Sequence, residues 1–592
     1  MLLRFDRLLL VAPGWLGFML YLPALAHGFV WDDHYFLIDL PYLRDPELWW
    51  RQLFEPLFVS RNYFRPLPLA SFVMEMRLAG PDPFAFHLTN LLLHAANTTL
   101  VVLLVRAAIP GGALAAAGAG LLFAVHPALV ENVAWISDRF DLMVAFFVLL
   151  ALVGEGRLSG AFARAAWVGA TFLLALLCKE SAVVLLALVP LWQAMRRRSD
   201  AAWRPWRRDA WTRGDVAVWA GLLLSLCAYL LVRYGALEGI YRSDSEMLRG
   251  GFLQHMLLIG KTVGWYASLA LWPFGRMLPV HPATTPVALG DAWAWLGLLG
   301  LLAGVVALGW ALLWRPAARR PALAVAMALA ALAPVANLVP LTIGDNLVHD
   351  RYLILPVAFL VLALALLWEC ASRRRFGAAT AGAWAVAAVV TVAGLLPHWQ
   401  SNLTLWRWAY EAEPASRIAR ESYVAALVNG QRFQETVAVA RAILADTPDI
   451  PSTTHNLALA LAQLGQDGEG ERLARRAIRQ YQDLHDKDAV RRRDDSKGRL
   501  DISESYNLLG YLLLRQGRLD EAERALRQSI ALTPYLTRPH YNLALLLYER
   551  GDWAGGDEEL TFAERYGAPD LAAAHRRAGN ERKRALLKAA AS

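Results

Sequence analysis

Residues 506–534 read YNLLGYLLLRQGRLDEAERALRQSIALTP. Tyr506, Leu509, Gly510, Ala522, Leu526 and Pro534 stand at the large, small and helix-stopping positions of a 34-residue repeat built from helix pairs. Gly517 recurs 34 residues on at Gly551. Weaker copies surround Leu457, Gly470, Ala474 and Ala477, and run from Ala440 to Pro448. The spacing predicts about four helix pairs, each burying a face on the next. A charged stretch from Asp483 to about Asp501 interrupts the array and reads as a loop.

Upstream of Pro397 the chain changes character. Of its 592 residues 57% are hydrophobic and 23 are Trp, and the long apolar runs lie before that proline. Two domains follow: a membrane domain over 1–400 and a tetratricopeptide domain over 401–592, both all-α. Eleven spans are expected near 8–26, 88–105, 112–126, 141–154, 165–178, 181–195, 216–232, 292–314, 322–341, 352–370 and 378–397. The first follows Arg4 and Arg7 without a clean cleavage site, and reads as a retained span. Residues 252–272 carry Gln254, His255 and Lys261 and read as an amphipathic segment at the outer interface.

The net charge of +8 is unevenly placed. Arginines cluster at Arg196, Arg197, Arg198, Arg204, Arg207, Arg208 and Arg213, at Arg315, Arg319 and Arg320, and at Arg373, Arg374 and Arg375. With an inside N-terminus all three clusters fall inside, and the odd span count puts the repeats outside, with Asp32 and Asp33. No aromatic-basic motif accompanies the arginines, so nucleic acid is not an expected partner. Cys178, Cys227 and Cys370 lie in or beside apolar segments and suit neither a disulfide framework nor a metal knuckle.

Asp32 and Asp33, in GFVWDDHYFLID, form an acidic pair just after the first span, where like charges repel and solvate poorly. Other outward links hold Arg61, Arg65 and Glu75; His126, Glu131, Asp138, Arg139 and Asp141; and Asp345, Asp350 and Arg351. His87, Asn90, His94 and Asn97 share a helix face, and interhelical hydrogen bonds are a better reading of the histidines than metal ligation. Lys179 and Glu180 join two short spans; Lys179 either pairs with an anion below the surface or snorkels to the headgroups. Acids and bases gathered on one face suit two tasks. One carboxylate takes a proton from an acceptor hydroxyl, and cations stabilise a phosphate leaving group.

In order along the chain, WDD, YFRPLPLASF, PFAFHLTNLLLHAAN, HPALVENVAWISDRFDL, CKESAVVLLALVP and ANLVPLTIGDNLVHDRYLILP resemble the membrane-and-tetratricopeptide O-mannosyltransferases, which are GT-C glycosyltransferases. The resemblance implies a GT-C-type membrane helix bundle followed by an α-solenoid. It also implies a polyprenyl-phosphate sugar donor, mannose among the sugars, and a protein or glycan acceptor recruited by the repeats. At the matching positions Asp32 is the implied catalytic base, with Asp33 its helper or a metal-site neighbour. Arg65, Lys179 and Arg351 would serve the lipid phosphate. Glu131, Asp138 and Arg139, from the second outward loop, and His87 complete the expected donor site. The residues fix no cofactor, and the acidic pair admits a divalent cation, Mg or Mn. His-Asp-Arg-Tyr stands where the animal enzymes carry a Glu-Arg pair, which leaves the acceptor open. The Ala-, Arg- and Trp-rich composition reads as bacterial, with an inner-membrane location and periplasmic repeats.

Three other readings stand beside this one. A transporter would show related halves with charges near mid-membrane, and no internal repeat is visible here. A polysaccharide polymerase or ligase would use a diphosphate-linked glycan. A non-catalytic membrane scaffold would present the repeats to partners.

Overall fold

The computed structural model describes the chain except residues 1, 40–42, 44–47, 51–52, 55–62, 198–211, 238–250, 283–285, 339–345, 371–373, 491–495, 568 and 592. Arg61, Arg198, Arg204, Arg207, Arg208, Asp345 and Arg373 therefore lie outside the described residues. Among the described residues there is no strand, only an isolated antiparallel bridge between Pro282 and Asn346. Two compact units form: Met1–Asp33 with Trp50–Leu57 and Asn62–Leu405, and His34–Trp49 with Phe58–Arg61 and Trp406–Ser592.

In the first unit a helix stands at each of the eleven expected spans, from Leu2–Leu20 to Arg374–Leu395. Six segments among the described residues are long and apolar enough to cross a membrane: Pro83–Ala108, Arg213–Leu237, Ala292–Trp314, Pro316–Val335, Asp350–Glu369 and Gly377–Trp399. A seventh arises only if Ala113–Ala124 and Pro127–Ala134, bent by 55° against each other, count as one. Leu8–Leu20 and Ala161–Leu176 are apolar but shorter. These helices mark an integral membrane protein.

Apolar burial gives little drive to pack helices inside a bilayer, so close backbone approach matters more. A Cβ on Gly221 would stand 2.6 Å from the Ala165 carbonyl oxygen, which lets Arg213–Leu237 lie directly on Ala161–Leu176. A Cβ on Gly260 would stand 2.5 Å from the Leu298 nitrogen, where Phe252–Leu271 crosses Ala292–Trp314. The Phe252–Leu271 helix is held at its polar positions by links at one end of the bundle. Gln254 donates to the Val287 carbonyl (3.3 Å), Lys261 pairs with Asp291 (2.7 Å), and Asn337 donates to Thr262 (2.9 Å). Tyr266 accepts from the His349 N–H (3.2 Å).

The second unit is the repeat array. Its pairs are Arg417–Asn429 with Phe433–Asp446, Pro451–Gln463 with Asp467–Val490, Ser496–Arg515 with Leu519–Leu532, and Thr537–Glu549 with Trp553–Tyr566. Pro569–Ala591 follows them. Gly517 and Gly551 turn the chain at φ 73° and 78°, a left-handed conformation at low cost only for glycine. The stretch expected as a loop is instead largely helical, because Asp467–Val490 runs on and Ser496–Arg515 begins soon after. Charge alone does not stop a helix, and no Gly or Pro lies between Tyr481 and Val490.

Candidate functional site

The link between Ala113–Ala124 and Arg139–Arg157 is buried along its whole length. A buried link must satisfy its own backbone, and this one does so with short helical turns at Pro127–Leu129, Val130–Ala134 and Ile136–Asp138. Pro127 suits a first turn, and His126 caps it by accepting from the Ala128 N–H (3.2 Å). The turns carry Glu131, Asn132, Trp135, Ser137 and Asp138 into the bundle.

Ser137 meets the acidic pair. Its backbone N–H donates to Oδ1 of Asp33 at 2.8 Å, and its hydroxyl donates to the same oxygen. Oδ2 accepts from the Val30 N–H at 3.0 Å. Asp33 is fully buried, while Asp32 beside it is half-buried. Burial pushes the Asp33 carboxyl up to about 7 against the pull of the Ser137 and Val30 hydrogen bonds, and the charge of Asp32 adds to the rise. Trp31, immediately before the pair, holds φ 55°, a left-handed conformation rare for a bulky residue. Strain of this kind costs about 1–3 kcal/mol and persists only where the surroundings hold it. Here the Trp31 N–H donates to Asn402 Oδ1 (2.6 Å), and its ring stacks on Trp135 with centroids 4.7 Å apart.

One residue further along the link, Asp138 faces Arg351, which comes from the separate turn Asp350–Leu353. Arg351 Nη1 binds Glu131 Oε1 at 2.5 Å, its backbone N–H donates to Glu131 Oε2 at 3.1 Å, and its Nε stands 3.6 Å from Asp138 Oδ1. Asn132 ties both ends together, donating to Asp138 Oδ2 (2.6 Å) and to the Arg351 carbonyl (3.0 Å). Burial first, then the neighbouring Asp141, hold the Asp138 carboxyl well above the usual carboxylate range.

Lys179 pairs with Asp141 Oδ2 at 2.6 Å. Tyr352 joins the two cations: Lys179 Nζ lies 4.6 Å from its ring centroid and the Arg351 guanidinium 5.0 Å. Beside them Glu180 bridges Arg65 (3.2 Å) and Arg233 (2.8 Å). Arg65 also stacks on Tyr63 at 4.5 Å.

Arg139 and His87 stand differently. Arg139 is fully buried and donates to Glu75 (2.6 Å), Asn90 (2.9 Å), Ser71 (3.0 Å) and the Phe86 carbonyl (2.8 Å). It braces Pro66–Ala79 and Pro83–Ala108 against its own helix. His87 is buried edge-to-face with His27, ring centroids 6.0 Å apart. Among the described residues no three His, Cys, Asp or Glu side chains are grouped to hold a metal ion. Both oxygens of Asp33 already accept hydrogen bonds, Oδ1 from Ser137 and Oδ2 from Val30.

Sequence reasoning did not single out Ser137, Asn132, Trp135, Arg233 or Tyr352. Arg233, in the last turns of Arg213–Leu237, was the most findable: it is a lone cation at a span end.

The comparisons with known proteins agree with this architecture. Residues 503–536 match the tetratricopeptide repeat family model. Protein O-mannosyl-transferase Tmtc1 of Drosophila melanogaster is 36% identical over 189 residues, 30% of this chain and 21% of that protein. Protein O-mannosyl-transferase Tmtc2 of the same organism is 35% identical over 197 residues, 31% of this chain and 21% of that protein. Protein O-mannosyl-transferase TMTC4 of Homo sapiens is 33% identical over 151 residues, 22% of this chain and 20% of that protein. The matching part of the chain thus spans about a fifth of the length of these curated relatives. Over less than a third of its length, the chain is similar to proteins named protein O-mannosyl-transferase, and it carries a tetratricopeptide repeat.

Proposed function

We propose that the chain is a membrane glycosyltransferase that moves a sugar, mannose among the candidates, from a polyprenyl phosphate to a hydroxyl of a protein acceptor. The observation that carries this reading is the joining of an acidic pair to a buried cation cluster through one short link, Ser137–Asp138. Residues 1–400 perform the transfer, and residues 401–592 recruit the acceptor on the same, outer face of a bacterial inner membrane.

The chemistry follows from the charges. Arg65, Arg233, Lys179 and Arg351 face Glu180, Asp141, Glu131 and Asp138. The upward shift of the Asp138 carboxyl weakens its hold on Arg351, and a lipid phosphate would serve that cation better. Asp33 is committed to Ser137 and Val30, so it anchors the loop. Asp32, the half-buried member, takes the proton of the acceptor hydroxyl as that oxygen bonds to the anomeric carbon. The bond from the anomeric carbon to the phosphate oxygen breaks, and polyprenyl phosphate departs with the electron pair, stabilised by Lys179 and Arg351. Arg139 holds the helices that frame the site.

Purified Asp32→Asn protein tests the proposal. It is expected to insert and to bind polyprenyl-phosphate mannose, yet to lose transfer by about 10²–10⁴-fold. Full transfer activity would reject the base. Absence of transfer in the wild type, with partner proteins still bound by the repeats, would favour a scaffold.

A further inference from the structure

The first unit carries an apolar cleft at the end of the bundle opposite the acidic pair. The Pro83–Ala108 helix runs from His87 and Asn90 at the candidate site to Arg106, and the Arg139–Arg157 helix runs from Asp141 to Arg157. Both therefore finish at the far end. Between them and Ala161–Leu176 lies a cleft of about 290 Å³, lined by Leu100, Leu103, Leu150, Val153, Trp167 and Arg157 among its residues. The Trp167 indole is fixed in the wall by donating to the Leu150 carbonyl at 3.0 Å.

Each long wall runs from leucine to arginine. Arg106 follows Leu103 by three residues on one helix face, and Arg157 follows Val153 by four on the other. The neighbouring cations are already used. Arg164 binds Glu155 and Asp215, Arg196 binds Glu155 and the Gly156 carbonyl, and Arg320 binds the Ala108 carbonyl. Among the described residues Arg106 Nη1 is buried without a partner, and Arg157 is exposed and makes no hydrogen bond or ion pair.

We propose that this cleft binds one anionic phospholipid, with an acyl chain along Leu100, Leu103, Leu150 and Val153 and the phosphate between Arg106 and Arg157. Charge complementarity selects the occupant. An apolar furrow alone accepts any chain, but an unspent guanidinium in its wall, Arg157, and a second one helical turn beyond Leu103, Arg106, call for an amphiphile with a negative head. A zwitterionic lipid offers those arginines no net charge, and an apolar helix from a partner would leave both without a counter-ion.

The test uses the full chain in mild detergent with equal amounts of phosphatidylglycerol and phosphatidylcholine of identical acyl chains. Native mass spectrometry counts the lipid retained. One phosphatidylglycerol is expected to stay bound in preference to phosphatidylcholine. Arg106→Gln with Arg157→Gln is expected to weaken that retention roughly twenty-five-fold, about fivefold for each basic residue. Leu103→Trp, which fills the cleft and leaves both arginines, is expected to remove it independently. Equal retention of the two lipids by the wild type overturns the proposal, as does undiminished phosphatidylglycerol in either folded variant. Should the double variant not fold, Leu103→Trp decides alone. Displacement of phosphatidylglycerol by an equal concentration of polyprenyl phosphate would assign the cleft to the donor tail and also overturn it.

Discussion

Ser137 gives Asp33 two hydrogen bonds to one oxygen, from its backbone N–H at 2.8 Å and from its hydroxyl. A loop after the first helix and a link about a hundred residues later are thereby tied into one wall. Ser137→Ala removes the hydroxyl and leaves a buried carboxyl short of a donor. A loss of about 1–3 kcal/mol is expected, measured by thermal unfolding in detergent. Because the Ser137 bond lowers the Asp33 pKa, its loss should move that value above 7.

The Asp33 shift also sets a pH dependence. Its folded pKa of about 7 exceeds the unfolded value of about 3.9, so the folded chain binds more protons between them. The contribution to stability is full below pH of about 4 and is lost as pH rises through about 7. Asp33→Asn should flatten this part of the stability profile. An unchanged slope in the variant would assign the titration elsewhere.

Lys179→Ala and Arg351→Ala separate phosphate binding from folding. Both cations have acidic partners, so each variant strands a buried carboxylate, Asp141 or Glu131. Stability is expected to fall in both, and apparent donor affinity to fall further than in a control of equal instability. Arg139→Ala supplies that control. Donor titration at a temperature where all three remain folded makes the comparison, and equal donor affinity in all three would remove Lys179 and Arg351 from the phosphate site.

Arg139→Ala should itself be severe. Removing one member of a buried ion pair costs roughly 3–5 kcal/mol, because the partner charge stays buried. Glu75 would lose its cation and keep the hydrogen bond from Thr89. Arg139→Ala with Glu75→Gln should recover part of the loss, a coupling readable in a double-mutant cycle.

In the repeat unit, Gly510→Ala tests a close contact. A Cβ there would stand 2.6 Å from Leu526 Cγ, itself fully buried. Overpacking of this sort costs about 1–3 kcal/mol, and hydrogen exchange should show the Ser496–Arg515 and Leu519–Leu532 helices losing protection together.

Much of this architecture was legible in the chain, because helix and span signals are local. Apolar run length located the membrane helices, and the 34-residue period located the repeat around Tyr506 and Pro534. Residue type also marked Asp32, Asp33, Lys179 and Arg351 as costly at a membrane boundary. Local signals misled where charge density was taken for a break, since helices run through much of 483–501.

Partnership was the part that only tertiary structure decided. Nothing local tells Arg139 from Arg351: both follow an aspartate in a link. Packing sends Arg139 to Glu75 and Asn90 as a brace, and brings Arg351 beside Lys179 across the Tyr352 ring. Likewise two adjacent aspartates are chemically alike in sequence. They diverge because a left-handed turn at Trp31, held by Asn402 and Trp135, accompanies the burial of Asp33 on Ser137 and leaves Asp32 half-buried. The worth of a charge in a low-dielectric interior depends on which groups lie within a few ångströms, and those come from segments tens to hundreds of residues apart.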